Sequence, residues 1–363
     1  VVSDGNGNSR EAEERKARLA GLLEAVKGIK SLNICAHSNP DPDSLSSSAA
    51  LKFLVEQMTG IRCRIVYDGV IGRAENQAMV KLLKLPIRPL RPLRNVRRPM
   101  NVALVDTQPR SGNNPYPRTY QPRIVIDHHP LLKSTSAAWV DVRPGYGATA
   151  TILFEYLEAS GLTPPAWLAT ALAYGLSSET RDLGREASPE DVRAYLGLYP
   201  RVQKKVLAQI EHPRLPRSYF SAIDHALHRA FFYSNVIGSK LGSVDSPDIV
   251  AEVADFLMAH ERMTWCITIG WFQEQLYLSL RSTSLKARAG SVMKKLLGTQ
   301  GTAGGHGQMA GGQVDISTMT PADVKLLEER LLLKFLNILG HNEKAEFRPL
   351  IVRPEVELPP ELS

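Results

Sequence analysis

The sequence predicts an α/β protein: a parallel-sheet domain that carries the chemistry, then a smaller α/β C-terminal domain, with a cleft between them. Three observations predict it. The apolar runs SLNICA, CRIVYDG, NVALVD and RIVIDHH are too short for helices and read like strands that a parallel sheet buries on both faces. Helical stretches alternate with the first of them, and a second group of strand and helix patterns begins near Phe231. At 363 residues the chain also exceeds the usual size of one hydrophobic core.

Taken in order, Asn8 can cap a helix with Glu11 three residues on, and Leu19, Leu22, Leu23 and Val26 mark one apolar face, which predicts a helix over roughly 9–28. SLNICAH, SLSSSAALKFLVEQM and CRIVYDG then form a strand-helix-strand unit with parallel pairing. PIRPLRPLRNVRRP (86–99) sets Arg88, Arg91, Arg94, Arg97 and Arg98 among prolines that exclude a regular helix, so an exposed loop is expected, either a solvated connector or a rim that holds a phosphate backbone. NVALVD and RIVIDHH continue the sheet, and ATATILFEYLEASG and PAWLATALAYGLSSET close the domain as helices. The expected organisation is an N-terminal helix (1–30), a catalytic domain (31–187), an amphipathic helical linker (188–230), a C-terminal domain (231–345) and a tail (346–363).

Composition, at 43% hydrophobic and 22% charged residues, is that of an ordinary globular protein and excludes collagen-like, disordered and coiled-coil classes. A net charge of +7 and a pI of about 9.2 favour anionic ligands without choosing among them. The three cysteines, Cys35, Cys63 and Cys266, lack metal-ligand spacing and are expected as reduced core residues, which suits the cytoplasm. No signal peptide is visible, and no apolar run approaches the ~20 residues a membrane span requires. A soluble protein with no membrane partner is expected.

The chemistry-bearing residues all follow predicted strands: His37, Asp41 and Asp43 after NICA, Asp106 after NVALV, and Asp127, His128 and His129 after RIVI. In an open parallel sheet the strand C-termini share one edge, so these segments converge. Two imidazoles with several carboxylates form a nitrogen and oxygen donor set suited to Mn²⁺ or a related divalent ion. Asp43 taken alone reads equally well as the cap of the helix SLSSSAAL. His212, His225, His228, His260 and His341 have no such context and are assigned no function.

AHSNPDPDSLSSSAAL, VALVDTQP and VIDHHP together resemble the three leading motifs of the DHH phosphoesterase family. LYLSLRS (277–283) and GTAGGHGQMAGG (301–312) resemble the substrate-binding domain that accompanies the catalytic one in its nano-RNase and pAp-phosphatase type members, with exopolyphosphatase-related and RecJ-like proteins as wider kin. The resemblance implies two Mn²⁺ per chain, with Mg²⁺ or Co²⁺ as alternatives: His37 and Asp41 on one, Asp43 and His128 on the other, and Asp106 bridging. Asp127 then orients His128 from behind, and His129 faces the phosphate or leaving group. Arg281, Ser282, Gly304, Gly305 and His306 are implied to hold a substrate phosphate.

The chain departs from the family pattern twice. YGLSSETRDLG places Glu179 where relatives carry Asp, leaving Asp182 as a fallback ligand, and Ser46 stands where relatives carry Gly, where it could crowd a phosphate. The implied activity is hydrolysis of short single-stranded oligonucleotides or a small nucleotide phosphate, in a monomer or homodimer. Hydrolysis of cyclic dinucleotides or polyphosphate, and nucleotide binding without catalysis, are the alternative readings.

Overall fold

The structure, a computed structural model, describes residues 5–90, 101–116, 120–341 and 346–352. The chain divides into two compact units, Val1–Pro213 and Arg214–Ser363.

The first unit runs α1 (Gly5–Ala25), β1 (Ser31–Cys35), α2 (Pro42–Thr59), β2 (Arg62–Tyr67), α3 (Ala74–Leu82), β3 (Ile87–Pro89), β4 (Val102–Val105), β5 (Ile124–Asp127), β6 (Trp139–Val142), α4 (Thr149–Ser160), α5 (Ala166–Thr180), α6 (Pro189–Leu198) and α7 (Lys204–Glu211). Its sheet has the order β3-β2-β1-β4-β5-β6 with every pair parallel. The chain builds outward from β1 to β3 and then returns to lay β4 on the other side of β1, which opens a crevice between the carboxyl ends of β1 and β4.

Side chains alternate across the sheet as strand geometry requires. Leu32, Ile34, Ala103, Val105, Ile124 and Ile126 join the main core with the helices, whereas Cys35, Val102, Leu104 and Val125 pack with Tyr116 on the other face. Burying an apolar side chain of this size is worth about 1.5–3 kcal/mol, so both faces contribute.

Three sequence expectations are corrected here. Part of the Arg/Pro stretch is not loop: Ile87–Pro89 adds to β2 as an edge strand, a place that tolerates proline because no neighbour needs its missing N–H. Arg88 lies on this strand, while Arg91, Arg94, Arg97 and Arg98 lie outside the described residues. The stretch 188–230 is not a separate linker, because Ala194 and Leu198 of α6 and Leu207 and Ile210 of α7 are buried in the first unit's core. The region after 345 also contributes structure, since Arg348 and Pro349 pair with Phe232 and Phe231.

The second unit runs α8 (Arg217–His228), β7 (Ala230–Tyr233), β8 (Val236–Ser243), α9 (Asp248–Leu257), β9 (Trp265–Phe272), β10 (Gln275–Ser282), α10 (Ala289–Leu297), β11 (Thr302–His306), β12 (Met309–Asp315), α11 (Pro321–Ile338) and β13 (Arg348–Pro349). Its sheet order is β11-β12-β10-β9-β8-β7-β13, antiparallel except for β8 with β9. Helices α10 and α11 cover one face through Met293, Leu296, Leu331 and Phe335, and α8 and α9 cover the other through Ala226, Val250 and Leu257. No helix among the described residues is long and apolar enough to cross a membrane.

Candidate metal centre

The end of each central strand delivers one part of the site. Past β1 the chain places His37, and Asp41 then caps α2 by accepting Ser44 N–H at 2.9 Å. Asp106 follows β4 with φ of 59°, a left-handed conformation that costs a non-glycine residue roughly 1–2 kcal/mol, and its N–H stays in the sheet, donating to the Ile126 carbonyl at 2.9 Å. Asp127 ends β5, and His128 and His129 follow it.

These side chains meet around Asp106, which is 2% exposed. Asp106 Oδ2 is 3.6 Å from His37 Nε2, and Oδ1 is 3.6 Å from both His128 Nε2 and His129 Nδ1. His37 Nε2 is also 3.3 Å from Asp41 Oδ2. Donor atoms thus form two groups that share Asp106, one with His37 and Asp41 and one with His128 and His129, each within 4.8 Å. His37 and His128 are oriented alike: Nδ1 lies 2.9 Å from the Ser38 carbonyl in one and 3.1 Å from the Tyr146 carbonyl in the other. Donation from Nδ1 to a backbone carbonyl leaves Nε2 as the lone-pair nitrogen, the arrangement that metal-ligating histidines adopt.

Asp127 has a different partner from the one expected. It serves His129, lying 2.8 Å from that ring's Nδ1 and accepting the His129 N–H at 3.2 Å, while Tyr146 takes the expected role behind His128. The other Asp127 oxygen accepts from Gln108 Nε2 at 2.7 Å, and Gln108 is fully used: its second amide proton goes to the Pro130 carbonyl, and its oxygen accepts from Leu132 N–H and the Thr135 hydroxyl. Sequence reasoning missed Gln108, whose only signal is its place two residues after Asp106.

Asp43 is buried, with one oxygen accepting Thr149 N–H at 2.7 Å and the other Ala150 N–H at 2.8 Å and the Ser47 hydroxyl at 3.3 Å. It caps α4 rather than α2, and a lone pair remains on the oxygen that accepts from Thr149. Ser46 does not crowd an approaching phosphate: it is fully buried, donates to the Asp43 carbonyl at 3.1 Å and faces Gly175 of α5. Glu179, in the last turn of α5, lies beside this cluster but outside both donor groups, with Arg185 Nη2 3.4 Å from its Oε1 and donating to its backbone carbonyl. Asp182 is exposed and outside both groups.

The electrostatics follow from crowding carboxylates out of water. Burial, then repulsion from Asp41, pushes Asp43 up to about 7. Burial, then Asp41 and Asp43, pushes Glu179 up to about 8, against the pull of Arg185. Asp106 is raised well above the carboxylate range by burial and by Asp43, Asp41, Asp127 and Glu179. For His37 burial favours the neutral ring, but the charge and hydrogen bond of Asp41 push its pKa up to about 9, and the same pair holds Asp41 low despite its burial. A buried set of mutually repelling carboxylates with two imidazole nitrogens fits a divalent cation, which relieves the repulsion and takes this donor type.

In the second unit the Arg281 guanidinium is buried and committed, with Nε 2.6 Å from Asp255 Oδ1 and Nη1 2.7 Å from the Ser279 hydroxyl and 3.0 Å from the Leu280 carbonyl. Its role as an open fork for phosphate is corrected to that of an anchor between β10 and α9. Ser282 likewise donates to the Thr264 carbonyl at 2.9 Å. Gly305, at φ of 132°, lies where a β-carbon would strike Ala310 Cα at 2.5 Å, and its carbonyl fills the space beside Gly290 at the start of α10. Gly304 has open space beside it, and the His306 side chain lies outside the described residues.

Residues 31–176 match the model of the DHH family, N-terminal domain. An uncharacterized protein of Methanocaldococcus jannaschii is 31% identical over 341 residues, which cover 92% of this chain and 69% of that protein. In fold, the chain is similar to an exopolyphosphatase-related protein from Bacteroides fragilis, with a TM-score of 0.62 at 13% identity over 90% of this chain and 98% of that one. The matched family span holds His37, Asp41, Asp43, Asp106, Asp127, His128 and His129, the residues gathered at the β1/β4 crevice, and the chain belongs to the DHH family of phosphoesterases.

Proposed function

We propose that the chain hydrolyses phosphoester bonds of short oligonucleotides or of a small nucleotide phosphate, using divalent cations, with Mn²⁺ the first choice, held by His37, Asp41, Asp106 and His128 with Asp43 and Glu179 beside them. The observation that carries this reading is the sharing of Asp106 between two donor groups at the carboxyl edge of a parallel sheet.

Divalent ions bound there supply a lowered water pKa and neutralise phosphoryl oxygens. The chain's own residues do the rest. Asp106 presents one oxygen to each donor group, and the Ser38 and Tyr146 carbonyls hold the Nε2 atoms of His37 and His128 toward it. His129 is the most open of the three imidazoles, its side chain 35% exposed against 15% for His37 and 7% for His128, so it is the one that reaches substrate. Asp127 engages its Nδ1 and favours the protonated ring, which leaves Nε2–H to protonate the departing oxygen. Burial pushes the His129 pKa down, but the hydrogen bond and charge of Asp127 outweigh this and raise it. Gly304, with open space at its α-carbon, leaves room for a close phosphate approach to the second unit.

The test is Mn²⁺-dependent release of mononucleotides from a 5′-phosphorylated dinucleotide, run beside 3′-phosphoadenosine 5′-phosphate, a cyclic dinucleotide and polyphosphate. Turnover of either of the first two at the highest rate supports the proposal. Preference for polyphosphate or the cyclic compound replaces the substrate, and nucleotide binding without turnover of any compound replaces hydrolysis.

A further inference from the structure

Thr149, the first residue of α4, touches two of the carboxylates at once. Its backbone N–H donates to Asp43 Oδ2 at 2.7 Å and its hydroxyl donates to Asp106 Oδ1 at 2.9 Å. Asp43 lies in the first turn of α2 and Asp106 just past β4, so one residue links acids delivered by two separate segments. Thr149 is itself fully buried, as are its neighbours Ala148 and Ala150.

The segment that carries Thr149 is anchored from behind. Asp191 of α6, also fully buried, accepts Gly147 N–H at 2.7 Å and Ser188 N–H at 2.7 Å, and takes the Thr151 hydroxyl as well. α6 therefore holds the start of α4, and the start of α4 holds the acids.

We infer that Thr149 is a positioning residue for the metal centre: its hydroxyl fixes the rotation of the Asp106 carboxylate so that Oδ1 serves the His128 group and Oδ2 the His37 group. The Asp106 backbone is tied to β5 through its N–H bond to the Ile126 carbonyl, and the Thr149 hydroxyl is the hydrogen-bond donor that holds its carboxylate. A threonine is suited to the task, since its branched Cβ restricts χ1 and so aims the hydroxyl. Valine keeps that shape and the backbone N–H to Asp43 while removing the hydroxyl donor.

The inference rests on the metal-centre reading. Its test is Mn²⁺ titration by calorimetry of the full chain as wild type, Thr149→Val and Thr149→Ser, with metal-free thermal unfolding measured alongside. Outer partners of metal ligands typically change affinity by about 10–100-fold, so Thr149→Val should bind Mn²⁺ at least about tenfold more weakly, and Thr149→Ser should recover affinity. Equal Mn²⁺ affinity in wild type and Thr149→Val overturns this inference alone, as does equal weakening by both variants in step with lost thermal stability. A wild-type chain that binds no Mn²⁺ overturns the metal-centre reading and this inference with it.

Discussion

A β-carbon placed on Gly175 would overlap the Ser46 hydroxyl and stand 2.8 Å from the Pro42 carbonyl and 3.1 Å from Asp43 Cα. Bare backbone of α5 therefore lies against α2 at the turn that carries Asp43, and α5 ends one turn later with Glu179 beside the cluster. Gly175→Ala must push the two helices apart. Overpacking of this kind costs about 1–3 kcal/mol, to be read as a lower urea midpoint, and Mn²⁺ affinity should fall with it because Asp43 and Glu179 move relative to each other. An alanine variant as stable as wild type would show that the helices separate freely.

Asp127 and His129 form the second relationship with a measurable consequence. Because Asp127 holds His129, and the Tyr146 carbonyl holds His128, Asp127→Asn should lower kcat by about 10–100-fold while leaving Mn²⁺ affinity unchanged. Loss of Mn²⁺ affinity instead would mean that Asp127 acts through a metal ligand, with His129 itself in that role.

How much of this was legible in the sequence divides along a physical line. Strands β1, β2, β4 and β5 announce themselves as continuous apolar runs, and the rule that parallel strands share a carboxyl edge brings His37, Asp106 and His128 together without coordinates. Strand β3 has three residues and a proline, too little pattern to register. The partners of Asp43 were out of reach for another reason: it pairs with N–H groups more than a hundred residues away, and backbone donors carry no residue-type signature. α6 reads as a connector because its polar residues dominate the pattern, yet buried Ala194 and Leu198 fix it to the core.

Asp141 gives a pH test away from the metal centre. Burial alone would raise its pKa, but hydrogen bonds and charge from Arg143, then Tyr156 and Arg18, lower it. A carboxylate whose folded pKa is depressed adds stability that is present above its unfolded pKa of about 3.9 and is lost as pH falls through the folded value. The stability gap between wild type and Asp141→Asn, measured by urea unfolding, should be widest near neutral pH and narrow in acid below about pH 4. A gap that stays constant in acid would show that the carboxylate's charge is not what stabilises the fold.

Arg281 separates an anchor from a substrate contact. Losing a hydrogen bond to a charged group costs about 1.5–3 kcal/mol, so Arg281→Met should lower the second unit's unfolding midpoint and leave KM unchanged. A raised KM with unaltered stability would return this residue to phosphate binding.

In the proposed function Asp106 joins two donor groups into one metal-dependent hydrolytic centre. The most direct measurement is Mn²⁺-dependent turnover of a 5′-phosphorylated dinucleotide by wild type and Asp106→Ala, with bound Mn²⁺ counted in both. Asp106→Ala should lose kcat/KM by at least about a thousandfold and hold less Mn²⁺ than wild type; full turnover with full metal content in the variant would show that Asp106 does not join the two groups.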